Sequence, residues 1–163
     1  MALKHILVPI DFSTVSLNAL EYAIEFAKPF EAELVVLFAV EPVYYATPAD
    51  LYGPSANVGM LMEEQQRLGK EQLARLSAQL AKRKVRHRTV MQTGTPHEAI
   101  TNAAKRVKAD LIIMATHGRT GLTRMLIGST AERVVRTAPV PVLTLHKHHP
   151  ARRRAARSAT KRK

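Results

Sequence analysis

The chain has 163 residues but no cysteine, and it has no run of about eighteen or more apolar residues. The missing cysteines exclude disulfides, thiolate chemistry and zinc sites with cysteine ligands, and they fit a reducing compartment. The missing apolar run excludes a transmembrane helix of the usual length. The first residues also lack the basic and then apolar pattern of a secretory signal. We therefore expect a soluble, cytoplasmic protein.

Three common motifs for nucleotide or acyl chemistry are also missing. The chain has no Gly-x-x-x-x-Gly-Lys-Ser/Thr loop, no Gly-x-Gly-x-x-Gly after its first apolar segment and no Gly-x-Ser-x-Gly. These absences exclude a P-loop NTPase, a dinucleotide-binding fingerprint and the nucleophile elbow of an α/β-hydrolase.

The formal net charge of +12 is concentrated near the carboxyl-terminal end of the sequence. Seven lysines and arginines lie between Arg152 and Lys163 with no acidic residue among them, and subtracting them from +12 leaves +5 for the rest. Because this segment has almost nothing to bury, we expect a disordered basic tail at 148–163 after one folded domain at 1–147. The tail is either a solubilising segment or an anchor that binds nucleic acid or an anionic membrane by counterion release.

Apolar runs and helical periodicities alternate along the rest of the chain. Parallel strands need crossover helices, so this alternation predicts an α/β fold in which four helices sandwich a doubly wound, five-stranded parallel sheet, Rossmann-like. The predicted strands lie at 6–8, 34–40, 85–92, 111–114 and 140–145, and the predicted helices include residues 19–27, 61–82, 96–107 and 129–137.

The strand edges and connections carry further signals. Alternation in the third strand and Pro141 in the fifth favour edge positions for both. The segment at 41–59 is much longer than the usual connection of about 4–6 residues. Thr95 and Glu98 form a capping-box pattern at the start of the third helix, with Pro96 at its first position.

A glycine-containing segment follows the fourth predicted strand and leads into the fourth helix. It includes Gly118, and Gly128 comes immediately before Ser129 at the predicted helix start. Glycine lets backbone N–H groups approach a ligand, and a helix N-terminus offers unpaired donors with a partial positive charge. The segment therefore predicts a phosphate site. If strands one and four adjoin, Asp11 at the end of strand one would contact the sugar or base of a nucleotide.

The sequence resembles the nucleotide-binding branch of the universal stress proteins over residues 3–145. The family's ATP signature is a glycine, two residues, a glycine, nine residues, then a glycine and Ser or Thr. Here Gly118 and Gly128 match the second and third glycines, and Ala115 replaces the first. Alanine is tolerable there in ordinary strand geometry and harmful if the site needs a positive φ. The matching motifs are KHILVPID at 4–11, GTPHE at 94–98, ATHGRTG at 115–121 with GS at 128–129, and PVPV at 139–142.

The resemblance implies a fold like that of the adenine nucleotide alpha hydrolases, a bound ATP with Mg²⁺ held through its phosphates, and a homodimer. The dimer would form through the last strand, from Val140 to Leu145. The implied contacts to the base and ribose are Pro9, Ile10, Asp11 and Ala39. The implied phosphate contacts are Gly118, Gly128, Ser129 and Thr130, and Ala115 is also assigned to the nucleotide site.

Several of these residues have a structural alternative. Asp11 can cap the first helix, and Ser129 forms a capping-box pattern with Glu132. Arg119 and Arg124 either clamp phosphate oxygens or remain solvated, and we do not assign them to the site.

No catalytic residue is predicted. Asp11 and His117 are the nearby candidates for a general base, and neither has a visible orienting partner. The leading hypothesis is a regulatory, ATP-binding stress-response protein with little or no turnover. The alternative is a slow ATP hydrolase or phosphotransferase that uses the same pocket. No metal site is predicted, because His146, His148 and His149 lack a carboxylate partner in the sequence pattern.

Overall fold

The computed structural model describes residues 3–42, 56–116 and 127–146. Gly118, His117, Arg119 and Arg124 lie outside these ranges. The predicted basic tail and most of the long segment predicted at 41–59 also lie outside them.

Within the described ranges, five strands and four helices alternate along the chain, as predicted. The strands are β1 (His5–Ile10), β2 (Glu33–Val40), β3 (His87–Thr93), β4 (Leu111–Ala115) and β5 (Val142–Leu145). The helices are α1 (Thr14–Ala27), α2 (Ala56–Lys82), α3 (Pro96–Arg106) and α4 (Ser129–Thr137), and a short 3₁₀ helix that the sequence did not predict follows α1 at Lys28–Phe30. No helix in the described ranges is long and apolar enough to cross a membrane.

The five strands are parallel and form one sheet in the order β3-β2-β1-β4-β5. Leu7 in the central strand β1 pairs with Val35 of β2 on one side and Ile112 of β4 on the other. The chain winds outward from β1 in both directions, so the predicted doubly wound α/β fold is confirmed. The winding reverses between β1 and β4, which brings the carboxyl ends of these two strands side by side.

The two faces of the sheet carry separate hydrophobic cores. Ile6 and Val8 of β1 belong to the core that includes Leu73 of α2, whereas Leu7 belongs to the core that includes Val134 of α4. Successive residues of β1 are therefore fully buried on opposite faces. A shift of one residue would exchange the side chains of the two cores, so this burial fixes the register of the central strand.

The two edge strands, β3 and β5, begin later than the sequence predicts. β3 begins at His87 rather than Val85, because the N–H of Val85 bonds to a carbonyl oxygen in the last turn of α2. β5 begins at Val142 rather than Val140, after Pro141, which has no N–H to donate to a strand ladder.

The two predicted capping boxes do not form. The Thr95 hydroxyl donates to the carboxylate of Glu98 and makes no bond to a backbone N–H of α3. Gly128, not Ser129, is the N-cap of α4, so Ser129 is the first residue of that helix. The carboxylate of Glu132 instead pairs with an arginine one turn later at 2.9 Å. The start of α4 therefore has no side-chain cap.

Candidate functional site

A cleft of about 780 Å³ opens at the carboxyl-terminal edge of the sheet, beside the junction of β1 and β4. Its walls come from the ends of β1, β2 and β4, from the first turns of α3 and α4, and from the middle of α2. A doubly wound sheet binds its ligands at this point of reversal. The volume lies within the range of about 300–1,000 Å³ that is usual for small-molecule sites.

The end of β1 forms one wall through Pro9, Ile10 and Asp11. The Oδ1 atom of Asp11 accepts a 3.0 Å hydrogen bond from the N–H of Ser13, and the Asp11 N–H donates to the hydroxyl of Ser16 at 3.3 Å. The N-cap of α1 is Ser13, so the interpretation of Asp11 as that cap is wrong. The Asp11 carboxylate supports the turn before α1 and also lines the cleft.

Another wall of the cleft contains an aromatic contact between Phe12, which follows β1, and Phe38 of β2. Phe12 has a left-handed backbone, with φ of 61°, and its ring centroid lies 5.0 Å from that of Phe38 in β2. Phe38 packs closely on Gly69 of α2, because a Cβ atom at position 69 would lie 2.6 Å from Phe38 Cε1. Phe38 and Gly69 both line the cleft. The small size of Gly69 therefore allows α2 to approach β2 at the cleft wall.

Ala115, which stands in place of the first motif glycine, ends β4 in ordinary strand geometry. It pairs in register with Leu145 of β5 and is not among the residues with positive φ. Thr116 follows, and its N–H donates to the carbonyl oxygen of Leu145 at 3.0 Å. The Thr116 hydroxyl also lies 3.1 Å from Nδ1 of His146. Position 115 therefore does not use the conformational freedom of glycine.

The first turn of α4 lines the cleft with four consecutive residues, beginning at Gly128. The N–H of Gly128 donates a 2.8 Å hydrogen bond to the carbonyl oxygen of Thr116. The next three N–H groups, from Ser129, Thr130 and Ala131, occupy helix positions that have no acceptor within the helix. These donors and the positive end of the helix dipole suit a negatively charged group.

A sequence model described as the Universal stress protein family matches residues 2–146. The chain belongs to the universal stress protein family. Universal stress protein MJ0531 of Methanocaldococcus jannaschii is 39% identical to it over 145 residues, which cover 88% of this chain and 82% of that relative.

Solved structures of other universal stress proteins have the same fold. UspA from Lactobacillus plantarum has a TM-score of 0.75 and 26% identity, covering 89% of this chain and 99% of its own. A universal stress protein family protein from Arabidopsis thaliana, solved with AMP bound, has a TM-score of 0.62 and 20% identity, covering 91% and 97%. The family and fold expected from the motifs are therefore confirmed.

The cleft of this universal stress protein brings together eight of the nine residues predicted for the nucleotide site. Gly118, the ninth, lies outside the described residues. The contacts of the eight residues with a ligand stay a prediction. They are Pro9, Ile10, Asp11, Ala39, Ala115, Gly128, Ser129 and Thr130.

The lining residues that were not predicted from the sequence include the α2 wall and Ala131 of α4. Gln65 and Gln72 line the cleft seven residues apart, a spacing of two turns that puts them on one helix face. That polar pair was the available signal. The side chain of Ala131 gives no sign of a ligand site. Ala131 lines the cleft because it lies in the first turn of α4.

The charged residues among the described lining of the cleft are Asp11 and Glu41, both acidic. The described part of the lining therefore includes no lysine, arginine or histidine. Within the described ranges, no group of three or more histidine, aspartate or glutamate residues is placed to hold a metal ion. The donors that the described lining offers to an anionic ligand are therefore backbone N–H, hydroxyl and amide groups.

Proposed function

We propose that this universal stress protein binds ATP as its Mg²⁺ complex and acts as a regulatory stress-response protein with little or no turnover. The observation that carries the proposal is that the N-terminus of α4 and the carboxylate of Asp11 line one cleft. The first offers donors for phosphates, and the second offers an acceptor for ribose hydroxyl groups. A nucleotide carries both kinds of group in one molecule.

The phosphate end of the proposed site rests on the first turn of α4. The N–H groups of Ser129, Thr130 and Ala131 would donate to phosphate oxygens, with the Ser129 hydroxyl as a further donor. Gly128 has no side chain, which leaves room for the phosphates to approach the backbone.

The base end of the proposed site lies at the carboxyl ends of β1 and β2. Pro9 and Ile10 provide apolar surface there, and the backbone of Ala39 offers donors and acceptors to a base. The AMP-bound relative from Arabidopsis supports an adenine nucleotide as the ligand class.

Magnesium enters the proposal through the charge of the ligand. The charged residues in the described lining, Asp11 and Glu41, are acidic and would repel a triphosphate. Mg²⁺ coordinated by the phosphates would reduce that repulsion without needing an all-protein cage. We therefore expect EDTA to weaken the binding of ATP more than that of AMP.

A homodimer through β5 is a further part of the proposal. β5 pairs with β4 alone among the described strands, and its four residues are only partly buried. An edge strand presents backbone donors and acceptors to another chain. Sedimentation at increasing protein concentration tests this part, and a monomer at every concentration would contradict it.

Calorimetric titration of nucleotide-stripped protein with ATP and Mg²⁺ tests the nucleotide site, with Gly128→Val as the site variant. Val135→Ala is a matched control, because it changes an exposed apolar residue on the same helix outside the cleft lining. We expect binding by the wild type and the control and a loss of at least tenfold in affinity for the site variant. Equal affinity of Gly128→Val and wild type would contradict the site assignment. Steady ATP turnover that Asp11→Ala abolishes would instead favour the hydrolase alternative.

A further inference from the structure

A second charged region lies at the edge of the sheet opposite the cleft. Positions 72–97 contain no acidic residue, whereas five lysines and arginines occur within residues 82–88, where α2 turns into β3. Two of the five, Arg83 and Arg88, form ion pairs with acidic residues of α1 and β2. The charges of the other three are not offset in this way.

Lys82, Lys84 and Arg86 are these three residues. All are exposed, and none forms an ion pair with another residue that the structure describes. The carboxylate of Glu21 is already engaged, because both of its oxygens accept hydrogen bonds from Arg83, at 2.6 and 2.7 Å. The turn between α2 and β3 therefore projects uncompensated positive charge into solvent.

The turn between α3 and β4 adds Lys108 to the same edge. Lys84 and Lys108 both adopt the left-handed backbone conformation, with φ of 56° and 52°, which favours glycine at helix ends. The nearby Asp110 carboxylate accepts hydrogen bonds from the backbone N–H groups of Lys4 and His5. Three strand spacings separate the first residues of β3 and β4, a distance of about 14 Å.

We infer that this basic edge, defined as Lys82, Lys84, Arg86 and Lys108, binds the phosphates of duplex nucleic acid without reading its sequence. A duplex carries one phosphate charge per about 1.7 Å of its axis, so a 14 Å length carries about eight charges over both strands, and part of them can face the edge. The edge lies at the opposite ends of the strands from the cleft, so it does not compete with a ligand there.

Within residues 82–88 of the basic edge, the side chains favour a duplex over a single strand or a membrane. Residues 82–88 include no Phe, Tyr or Trp on which unpaired bases could stack. Val85, their one aliphatic residue, is partly buried, so the turn has little apolar surface to insert into a lipid layer. The imidazole of His87 is already hydrogen-bonded within the protein, with Nε2 2.9 Å from Ser77 Oγ and Nδ1 2.8 Å from the Val85 carbonyl oxygen.

Fluorescence anisotropy of a short labelled DNA duplex, titrated with the full chain at several salt concentrations, tests this inference. The edge variant combines Lys82→Gln, Lys84→Asn and Arg86→Gln, with asparagine chosen because it tolerates the left-handed conformation. The control combines Lys70→Gln, Arg75→Gln and Arg133→Gln, which removes the same charge from exposed residues elsewhere and leaves the tail intact. We expect the edge variant to lose at least tenfold in affinity and about 2–3 units of salt slope, and the control to lose much less.

Equal losses in the two variants, or no loss in either, would overturn the inference, since the edge would then act only as part of the net charge or as a complement to the helix dipole of α2. Loss of binding to phosphatidylserine vesicles with unchanged duplex binding would overturn it in favour of a membrane. If the triple variant melts well below the wild type, Lys108→Asn provides a milder test, with an expected loss of about one unit of salt slope.

Discussion

The backbone N–H of Gly128 donates its hydrogen bond to the carbonyl oxygen of Thr116, at 2.8 Å. This bond fastens the N-terminus of α4 to the end of β4. It also engages the N–H of the motif glycine itself, so the donors available to a phosphate are those of the next three residues. The proposed anion site therefore begins at Ser129, one residue after Gly128, which matches the third glycine of the sequence motif.

Removing one of these donors without unfolding α4 is feasible at Ser129. Proline suits the first position of a helix, and Gly128 already has φ −58° and ψ 148°, which a following proline allows. We expect Ser129→Pro to retain the fold and to lose at least tenfold in ATP affinity, because a charge-assisted hydrogen bond contributes about 1.5–3 kcal/mol. Ser129→Ala keeps the N–H and should lose less. Calorimetry of both variants makes the comparison, and equal losses would show that the hydroxyl, not the N–H, is the important donor.

Restoring the missing motif glycine should not improve binding. Ala115 lies in a regular strand and pairs with Leu145, so Ala115→Gly relieves no backbone strain. We expect nucleotide affinity to change by less than about twofold and the free energy of unfolding to fall by about 0.5–1 kcal/mol, since glycine weakens a strand. Titration and urea denaturation measure the two quantities. A large gain in affinity would mean that the alanine methyl obstructs the ligand.

Two substitutions at Asp11 separate its structural role from its proposed role in binding. Asp11→Asn keeps an oxygen that can accept from the N–H of Ser13, so stability should change by less than about 0.5 kcal/mol. Asp11→Ala removes that acceptor and should cost about 1 kcal/mol. If Asp11 binds the ribose through its charge, both variants should lose affinity by a similar factor in calorimetry. Wild-type affinity in Asp11→Asn would limit the carboxylate to supporting the turn.

The contact between Gly69 and Phe38 predicts that Gly69→Ala destabilises the wild type but stabilises a Phe38→Leu variant. In the wild type, Gly69→Ala gains about 1 kcal/mol of helix propensity but forces the Phe38 ring away, at a cost of about 1–3 kcal/mol. We expect a net loss of about 1 kcal/mol. In a Phe38→Leu background the same substitution should stabilise the protein, because the ring is gone. Thermal and chemical unfolding of the four proteins forms the cycle, and an unchanged sign would contradict the contact.

The clamp between Asp110 and the start of β1 predicts a pH dependence of stability. The N–H groups of His5 and then Lys4 lower the pKa of Asp110 below its usual value. A carboxylate whose folded pKa is lowered contributes stability above its unfolded pKa, and this contribution is lost as the pH falls through the folded value. Asp110→Asn should therefore be less stable than wild type at neutral pH, by about 1 kcal/mol for this partly exposed group, with the difference shrinking in acid. Urea melts at several pH values measure it, and a constant difference would exclude the carboxylate charge as the cause.

The sequence predicted the fold well because its determinants are local and periodic. Leu7 and Val8 enter opposite cores, so the run around them has the continuous apolar character of a strand buried on both faces. The starts of the edge strands were less predictable. The backbone N–H of Val85 bonds back to α2, so it is not available to β3. Pro141 has no N–H to donate to β5. Neither effect changes the apolar pattern around these residues.

The lining residues that could be predicted are those that the sheet topology alone brings together. Asp11 follows β1, Gly128 bonds to Thr116 at the end of β4, and the sheet order makes these two strand ends neighbours. The contact between Phe38 and Gly69 depends instead on side-chain packing between elements far apart in sequence, and it carries no motif. The start of α4 at Ser129 was predicted, but Ala131 has an apolar side chain and no motif that marks it as part of a ligand site.

The parallel sheet also aligns the dipoles of the helices that pack on it. Because the strands point one way, α1, α3 and α4 begin at the cleft edge and end at the opposite edge. Their peptide dipoles add, with the positive ends beside the cleft and the negative ends at the opposite edge, where Lys108 follows α3. The pull on an anion at the strand ends therefore comes from the main chain, and exchanging surface side chains leaves it in place.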